Sequence, residues 1–543
     1  MPHHRNSDRL SYGDALFLYL EREGMPLNVA SVNVFEGVVQ LKACTRFVAS
    51  KLPLIPRYLQ RVVSPPFNIG LPVWQYDPKF DIRNHVRQVT LRNGTDVEFK
   101  AAAGKILSQM MDRQRPLWDF TLVQGLKGNR TGVVTRMHHC LADGLAGVGL
   151  LNVLMDSSPE VHPLPKTQPR FHVPARMASS TSLLDELIAS STAVAERVIT
   201  AETELLGVLQ EVMSAAGQEA GEPKTHAQPG GNGQVPPLLK ELSRFIPEIG
   251  GSTQPLPFNI ICRGPQKFAW TEIPLEDIKA VKQACGATVN DVVLTLVASA
   301  IQRYVELHGV RTRGRLLRIA VPVNVRGKGD VSQLGNQITF LPVTIPLDIH
   351  NVRKLLAAIR ERLAFLRSVR VPELVSMAGT LLGTIPTAAQ VVMGPIVSQL
   401  PLGLSNIICT NVPGPASPLY LLGHKMLRCY PYVPIGGDIG INCAVLTYNG
   451  TAYFGFIGDA HAAPDLARLE KFPNTAFSEL QKSAGLAKPR RRPAKRRMPA
   501  RRVPAPVSAH PPMAAVVQMT ERAVGVATAK EEKLAGIPAA MAV

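Results

Sequence analysis

The chain has 543 residues, of which 45% are apolar and 19% are charged. This length exceeds what one hydrophobic core usually organises, so we expect at least two domains, and the composition excludes a fibrous or wholly disordered protein. The net charge of +19 favours anionic partners, such as a membrane surface or a phosphate group.

The positive charge is concentrated near the carboxyl terminus. The run from Lys488 to Arg502 contains nine basic residues and no acidic one. It belongs to a Pro-, Ala- and Arg-rich tail, 486–543, for which we predict disorder. Basic tails of this kind bind nucleic acid or anionic lipid, or remain simply solvated. Because the run lacks interleaved aromatic residues, attachment to lipid is favoured over nucleic acid.

Cysteine usage and the amino terminus point to a cytoplasmic protein. The seven cysteines are an odd number and form no CxxC pair, which is typical of reduced thiols and not of a disulfide framework or a zinc site. The polar start, MPHHRNSDRLSYGD, does not resemble a signal peptide. The uncharged segment from Leu374 to His424 is broken by prolines and glycines, so we expect helices buried at a domain interface, with one face available to lipid. A segment buried wholly in a core is the simpler alternative.

Residues 1–157 form the first predicted domain, in which helices alternate with strands. The hydrophobic pattern predicts a helix, a strand, a second helix, a buried strand after a Gly128-Asn129 turn, and a further helix. These elements cover Ser11 to Glu23, Val29 to Phe35, Lys100 to Met111, Thr131 to Met137 and Leu145 to Met155.

Residues 158–260 read as a connection, with a long helical pattern from Ser182 to Ala216 and a mobile Gly/Pro-rich piece after it. A second domain, 261–485, again mixes strands and helices, which indicates α/β layers in both halves. Its predicted strands are Lys267 to Ile273, Leu316 to Val323, Gln337 to Val343, Ile439 to Thr447 and Tyr453 to Ile457, and its predicted helices are Leu275 to Cys285, Val289 to Tyr304 and Asp465 to Lys482.

The chemistry is concentrated where the strand Thr131 to Met137 ends, in the sequence Met-His-His-Cys-Leu-Ala-Asp-Gly. A strand end presents a side chain rigidly to a cleft, and histidine takes and returns a proton near neutral pH. His139 is therefore a candidate general base, Asp143 can hold the loop, and Gly144 permits a tight turn.

Other readings of this cluster exist. Adjacent histidines are often surface residues or metal ligands, and Asp143 suits the N-cap of the following helix. Metal binding is disfavoured, because neighbours on a strand point to opposite faces and no third ligand lies nearby in sequence.

The cluster matches the pattern HHxxxDG, and other blocks accompany it in a fixed order. With them, the chain resembles the CoA-dependent acyltransferase superfamily and, more closely, the bacterial wax ester synthase/diacylglycerol acyltransferase family. The matching blocks are Leu10-Ser11, Asp14-Ala15, Pro56-Arg57-Tyr58, Phe80-Asp81, His85-Val86, Arg115-Pro116-Leu117-Trp118, Thr288-Val289-Asn290-Asp291-Val292-Val293, Pro322-Val323-Asn324-Val325-Arg326, Leu334-Gly335-Asn336 and Asn411-Val412-Pro413-Gly414-Pro415.

The resemblance implies an α/β fold of two chloramphenicol-acetyltransferase-like domains with a tunnel between them, joined by the partly helical linker. It makes His139 the general base, His138 a supporting residue and Asp143 a structural residue that orients the loop. It also implies substrate-binding roles for Pro116, Leu117 and Trp118 and for Asn290 and Asp291. Core packing by the first three and helix capping by the last two are the simpler alternatives.

The implied activity is transfer of a long-chain acyl group from acyl-CoA, as a co-substrate, to a lipid alcohol, either diacylglycerol or a long-chain alcohol. We expect no bound cofactor and no metal, and a location at the inner face of the membrane or on lipid droplets. Two alternatives remain: a lipid-binding or droplet protein with an idle motif, and a condensation-type enzyme that forms amide bonds.

Overall fold

In a computed structural model, the described residues are 9–142, 144–161, 163–164, 253–324, 338–368 and 385–486, and they belong to one compact unit ending at Ala487. The predicted helix from Ser182 to Ala216, the Gly/Pro-rich piece, Asp143 and the basic tail lie outside these ranges. All seven cysteines are free thiols.

The first sheet is built mainly from the amino-terminal half. In sheet order its strands are β11 (Tyr420–Leu421), β12 (His424–Tyr432), β1 (Asn28–Glu36), β6 (Arg130–His138), β5 (Trp118–Leu126) and β4 (Val86–Thr90), so that β6 lies between β1 and β5. The elements of this half are α1 (Tyr12–Leu20), β1 (Asn28–Glu36), α2 (Leu41–Lys51), β2 (Gln60–Val63), β3 (Val73–Tyr76), β4 (Val86–Thr90), α3 (Asp96–Leu107), β5 (Trp118–Leu126), β6 (Arg130–His138) and α4 (Gly144–Leu154).

The second sheet belongs to the carboxyl-terminal half. Its strand order is β7-β14-β13-β10-β8-β9. The elements are β7 (Gln266–Pro274), α5 (Leu275–Ala284), α6 (Val289–Leu307), β8 (Leu316–Asn324), β9 (Ile338–Pro346), α7 (Val352–Ser368), α8 (Thr387–Val397), β10 (Ile407–Pro413), β11 (Tyr420–Leu421), β12 (His424–Tyr432), β13 (Ile441–Tyr448), β14 (Thr451–Asp459) and α9 (Phe472–Ser483).

Each half has its own hydrophobic core. Leu122, Val133 and Val134 are fully buried in the first, and Val293, Leu296 and Ile319 in the second. The predicted α/β architecture with two sheet-containing halves is therefore confirmed. The predicted Gly128-Asn129 turn is also present, and both residues have positive φ angles, 81° and 52°.

Two strands cross between the halves. β12 pairs antiparallel with β1, with Ala30 opposite Tyr432, although it lies beyond the predicted domain boundary at 261. The amino-terminal sheet is thus completed by a hairpin from the other half. The predicted boundary at residue 261 therefore does not separate the two sheets, because β11 and β12 lie beyond it in the chain but belong to the first sheet.

Between Leu374 and His424, the described part holds one helix, α8, with an exposed apolar face, and one strand, β10, so an all-helical segment and a segment buried wholly in a core are both wrong. Residues Ile407–Pro413 form β10, and α8 exposes an apolar face, with Val392 66% and Ile396 51% exposed. The reason is that α8 packs by its opposite side on α1, where Gly394 lets the two helices approach closely: a Cβ there would lie 2.4 Å from the Tyr19 carbonyl oxygen.

Within the described parts of the chain, no single helix is both long and apolar enough to cross a membrane. Only α5 together with α6 reaches that length and composition, as a pair bent by 101°. Most of α6 is buried in the second core.

Candidate active site

The histidine pair lies where the central strand of the first sheet ends. His138 is the last residue of β6 and faces Asn28 across the β1 pairing. The backbone N–H of His138 donates to the Leu117 carbonyl at 2.9 Å, and that of His139 donates to the Leu27 carbonyl at 2.9 Å. The backbone of both histidines is therefore fixed between two neighbouring segments, as expected for a strand end. Gly144 follows as the first residue of α4.

His139 lines a large cavity. Its side chain is only 8% exposed, and its ring stacks on Phe17 with 3.9 Å between the ring centroids and 3° between the planes. Phe17 lies on α1 and lines the same cavity. A parallel ring contact of this kind restricts rotation of the imidazole, so one face of His139 is covered by carbon.

His138 points to the other side of the sheet and is fully buried. Its Nδ1 accepts a hydrogen bond from the backbone N–H of Cys140 at 3.1 Å, and its Nε2 lies 3.4 Å from Oε1 of Glu21. Because Nδ1 is the acceptor, the proton of a neutral ring is carried by Nε2 and faces the carboxylate. This geometry suits a residue that supports the loop and does not contact substrate.

Glu21 is a buried carboxylate behind the histidine pair. It accepts hydrogen bonds from the backbone N–H of Leu27 at 3.1 Å and from Nη2 of Arg113 at 2.9 Å. Burial alone would raise the pKa of Glu21, but the hydrogen bonds and charges of His138 and Arg113 outweigh it and lower the pKa to about 2. The carboxylate is consequently ionised at neutral pH.

The cavity has a volume of about 650 Å³ and is lined by residues from both halves of the chain. Its wall is mostly apolar, and the polar side chains in it include Ser31, Thr135, Thr410 and Asn411. Leu400, Leu402 and Leu404 line the cavity and are also 46%, 45% and 62% exposed, so they form its mouth. The cavity lies where a tunnel between the halves was predicted, and a passage open at two sides stays a prediction.

Pro116, Leu117 and Trp118 lie in the core behind the histidine strand, and none of them lines this cavity. The Leu117 carbonyl holds His138, and the Trp118 indole N–H donates to the Tyr58 carbonyl at 2.8 Å. Tyr58 itself lines the cavity and stacks on Trp118. The contacts match the packing alternative, and a direct role in substrate binding stays a prediction.

Asn290 and Asp291 differ in what they contact. Asp291 forms a capping box with Thr288 at the start of α6. Asn290 accepts a hydrogen bond from Nδ2 of Asn411 at 3.2 Å, and Asn411 lines the cavity. Capping accounts for Asp291, whereas Asn290 orients a polar side chain in the cavity wall.

Phe17, Glu21 and Leu27 are the site residues that sequence reasoning missed. Phe17 and Glu21 come from the first helix and the residue that ends it, far from the motif in sequence. The one available signal is Glu21 itself, an acidic residue directly after the apolar run Phe-Leu-Tyr-Leu. Across the described ranges, no group of three or more His, Cys, Asp and Glu residues has a geometry suited to a metal ion.

Comparison with known families accounts for most of the chain. Residues 10–293 match the model of the wax ester synthase/diacylglycerol acyltransferase catalytic domain, and residues 334–481 match the carboxyl-terminal domain of the same family. The chain belongs to the wax ester synthase/diacylglycerol acyltransferase family. It is an acyltransferase, as the motif blocks predicted.

Relatives in this family include two proteins of Mycobacterium tuberculosis. One, described as a probable diacylglycerol O-acyltransferase, is 25% identical over 477 residues, covering 86% of this chain and 94% of the relative. The other, a putative diacylglycerol O-acyltransferase, is 28% identical over 473 residues, covering 84% and 87%.

Two solved structures share the fold. The wax ester synthase/diacylglycerol acyltransferase of Marinobacter aquaeolei matches with a TM-score of 0.60 and 22% identity, over 88% of this chain and all of that one. The first condensation domain of the calcium-dependent antibiotic synthetase matches with a TM-score of 0.51 and 14% identity, over 89% and 97%. Both support the two-domain acyltransferase architecture.

Proposed function

We propose that this acyltransferase moves a long-chain acyl group from acyl-CoA to the hydroxyl of diacylglycerol, with His139 as the general base. The observation that carries the proposal is the position of His139 in the wall of an apolar cavity whose mouth is lined by exposed leucines. The names of the mycobacterial relatives support diacylglycerol as the acceptor, and a long-chain alcohol, giving a wax ester, is the alternative acceptor.

In the proposed reaction, His139 takes the proton of the acceptor hydroxyl. The oxygen attacks the thioester carbonyl and forms a tetrahedral oxyanion, which collapses as the carbon–sulfur bond breaks. The CoA thiolate then takes the proton back from His139, so the protons balance. Holding both substrates in one cavity makes the attack intramolecular in effect.

The neighbouring thiol argues against a covalent acyl-enzyme. Cys140 is 1% exposed, and burial, followed by the charges of Asp14 and Glu21, raises its pKa well above the usual value. A thiol that stays protonated is a poor nucleophile. Direct transfer is therefore favoured over a two-step route through Cys140.

The apolar wall favours a hydrophobic acceptor. Long acyl and alkyl chains gain roughly 0.8 kcal/mol for each methylene removed from water, whereas a small polar alcohol gains little in this cavity. The wall has few polar groups, and Asn411 is one of them. These few groups are available to orient the polar parts of the substrates, the acceptor hydroxyl and the thioester.

The test is CoA release from palmitoyl-CoA by the purified protein, with diacylglycerol, hexadecanol or a long-chain amine offered separately. We expect acceptor-dependent release with diacylglycerol, a loss of about 10²- to 10⁴-fold in His139→Ala, and near-normal turnover in Cys140→Ala. Release with the amine alone would favour the condensation reaction, and lipid binding without any release would favour a non-enzymatic lipid carrier.

We also propose that the enzyme works on a lipid surface, at the cytoplasmic face of the membrane or on lipid droplets. The support is the apolar face of α8, where Val392, Met393 and Ile396 are at least half exposed, together with the leucine mouth that follows it in sequence. No charged residue interrupts the chain between Ile385 and His424. Transfer of such an apolar face from water to a lipid surface is favourable.

Flotation with phosphatidylglycerol vesicles tests this surface. The double variant Val392→Ser and Ile396→Ser should bind vesicles less tightly and lose turnover on vesicle-borne diacylglycerol, while turnover on a short, soluble alcohol is kept. If the double variant floats with vesicles as wild type does, α8 is not the membrane contact.

A further inference from the structure

A chain of contacts joins Glu21 to both histidines. Glu21 ends α1, and its backbone N–H donates to the Phe17 carbonyl at 3.2 Å while its side chain turns inward and is 1% exposed. Its carboxylate receives the Leu27 N–H, and the Leu27 carbonyl in turn receives the His139 N–H. The same carboxylate faces Nε2 of His138.

An ionised carboxylate in a protein interior is costly unless donors surround it. Glu21 accepts hydrogen bonds from the Leu27 N–H and from Nη2 of Arg113, and Nε2 of His138 is a third polar group 3.4 Å from its Oε1. These three groups together offset the cost of burying the carboxylate. Two of the three bear on the histidine pair: His138 is one of its members, and Leu27 holds the backbone of the other.

We infer that Glu21 is a positioning residue for the acyl transfer, which fixes the backbone of His139 through Leu27 and the ring of His138 through Nε2. The inference rests on the proposed function, in which His139 is the base. It assigns Glu21 no contact with substrate, because neither Glu21 nor His138 lines the cavity.

The negative charge of Glu21 should also affect the protonation of His139. His139 becomes a cation when it takes the hydroxyl proton, and a carboxylate nearby stabilises that cation. The other charged or titratable groups near the histidine pair include His138, Arg113, Cys140 and Asp14. Asp438, Tyr58 and Tyr432 line the same cavity as His139. The positive charge of Arg113 disfavours the cationic form of His139 and so opposes the effect of Glu21. The Arg113 side chain is 47% exposed.

Glu21→Gln tests the inference with nearly the same side-chain shape. We expect kcat to fall on the order of 10- to 100-fold, a part of the whole contribution of a general base, with little change in KM for acyl-CoA. The acid limb of the pH–rate profile should move to lower pH, since the cationic form of His139 is less stable without the carboxylate. Glu23→Gln, two residues away and exposed, is the matched control and should behave as wild type.

Arg113→Gln is the second variant, for the case that Glu21→Gln does not fold. Arg113 is half exposed, so its replacement disturbs the interior less than replacement of the buried Glu21. Removal of this positive charge should move the acid limb to higher pH, opposite to Glu21→Gln. A folded Glu21→Gln enzyme with wild-type kcat and acid limb would overturn the inference, as would shifts of the same sign in the two variants.

A readout without turnover separates this inference from the proposed function. In protein labelled with ¹⁵N-histidine, the His139 signals are identified by their loss in His139→Ala. The pH at which these signals change should be lower in Glu21→Gln than in wild type. Absence of turnover in wild type defeats the proposed function, whereas an unchanged His139 titration in Glu21→Gln defeats the role of Glu21.

Discussion

The ring of Phe17 lies parallel to the imidazole of His139, with centroids 3.9 Å apart and planes 3° apart. The two residues come from the first helix and from the central strand of the first sheet. Their contact restricts rotation of the imidazole that we propose as the general base. The Phe17 carbonyl also accepts a hydrogen bond from the N–H of Glu21. The end of α1 therefore contacts both histidines, His139 through Phe17 and His138 through Glu21.

Removal of the Phe17 ring should loosen this arrangement. We expect Phe17→Ala to lower kcat by about 10-fold or more, because an unstacked imidazole samples unproductive orientations, while Phe17→Tyr keeps most of the rate. Steady-state kinetics with saturating palmitoyl-CoA measure the effect. Equal rates for the alanine and tyrosine variants would show that the stacking does not orient the base.

Glu21 should also contribute to stability in a defined pH window. Its pKa is lowered from 4.5 to about 2 in the folded protein, so its stabilisation is fully present above about pH 4.5 and is lost as the pH falls towards 2. The size is at most roughly 3 kcal/mol, from about 1.4 kcal/mol per pKa unit. Thermal unfolding between pH 5 and pH 3 should therefore depend more steeply on pH in wild type than in Glu21→Gln, and parallel curves would contradict this.

Gly394 controls how closely α8 approaches α1. A Cβ at this position would lie 2.4 Å from the Tyr19 carbonyl oxygen, so Gly394→Ala must push the two helices apart. We expect a lower Tm and a lower kcat, since α1 carries Phe17 and is ended by Glu21. Gly149→Ala is the control: Gly149 is an exposed residue of α4 with no atom within 4 Å of its added Cβ, so alanine should be neutral or slightly stabilising.

The neighbours Asn290 and Asp291 should separate stability from catalysis. Asp291→Ala removes the capping box of α6 and should cost about 1 kcal/mol of unfolding free energy with kcat almost unchanged. Asn290→Ala should leave stability nearly unchanged but alter KM or kcat, because it releases Asn411 in the cavity wall. Calorimetry and kinetics on both variants give the comparison, and the reverse pattern would assign the catalytic role to Asp291.

The sequence by itself predicted the local elements and a strand that ends at the two histidines. The run Thr131 to Met137 predicted the buried strand that ends at the histidines, the Gly128-Asn129 turn predicted its beginning, and the strongly apolar run Val289 to Tyr304 predicted α6. These features are encoded by neighbours a few residues apart, where the periodicity of side chains and the geometry of turns act directly. The ordered motif blocks then identified the family.

Only the tertiary structure decided which distant segments meet. Nothing in the sequence near Tyr432 predicts its pairing with Ala30, and nothing near Glu21 predicts contact with His138 or Arg113. Such pairings depend on which surfaces exclude water together and on which buried charge finds its donors, and many arrangements satisfy the local pattern equally well. For the same reason, the sequence did not decide which side of α8 is covered, whereas the structure packs one side on α1 and leaves Val392 and Ile396 exposed.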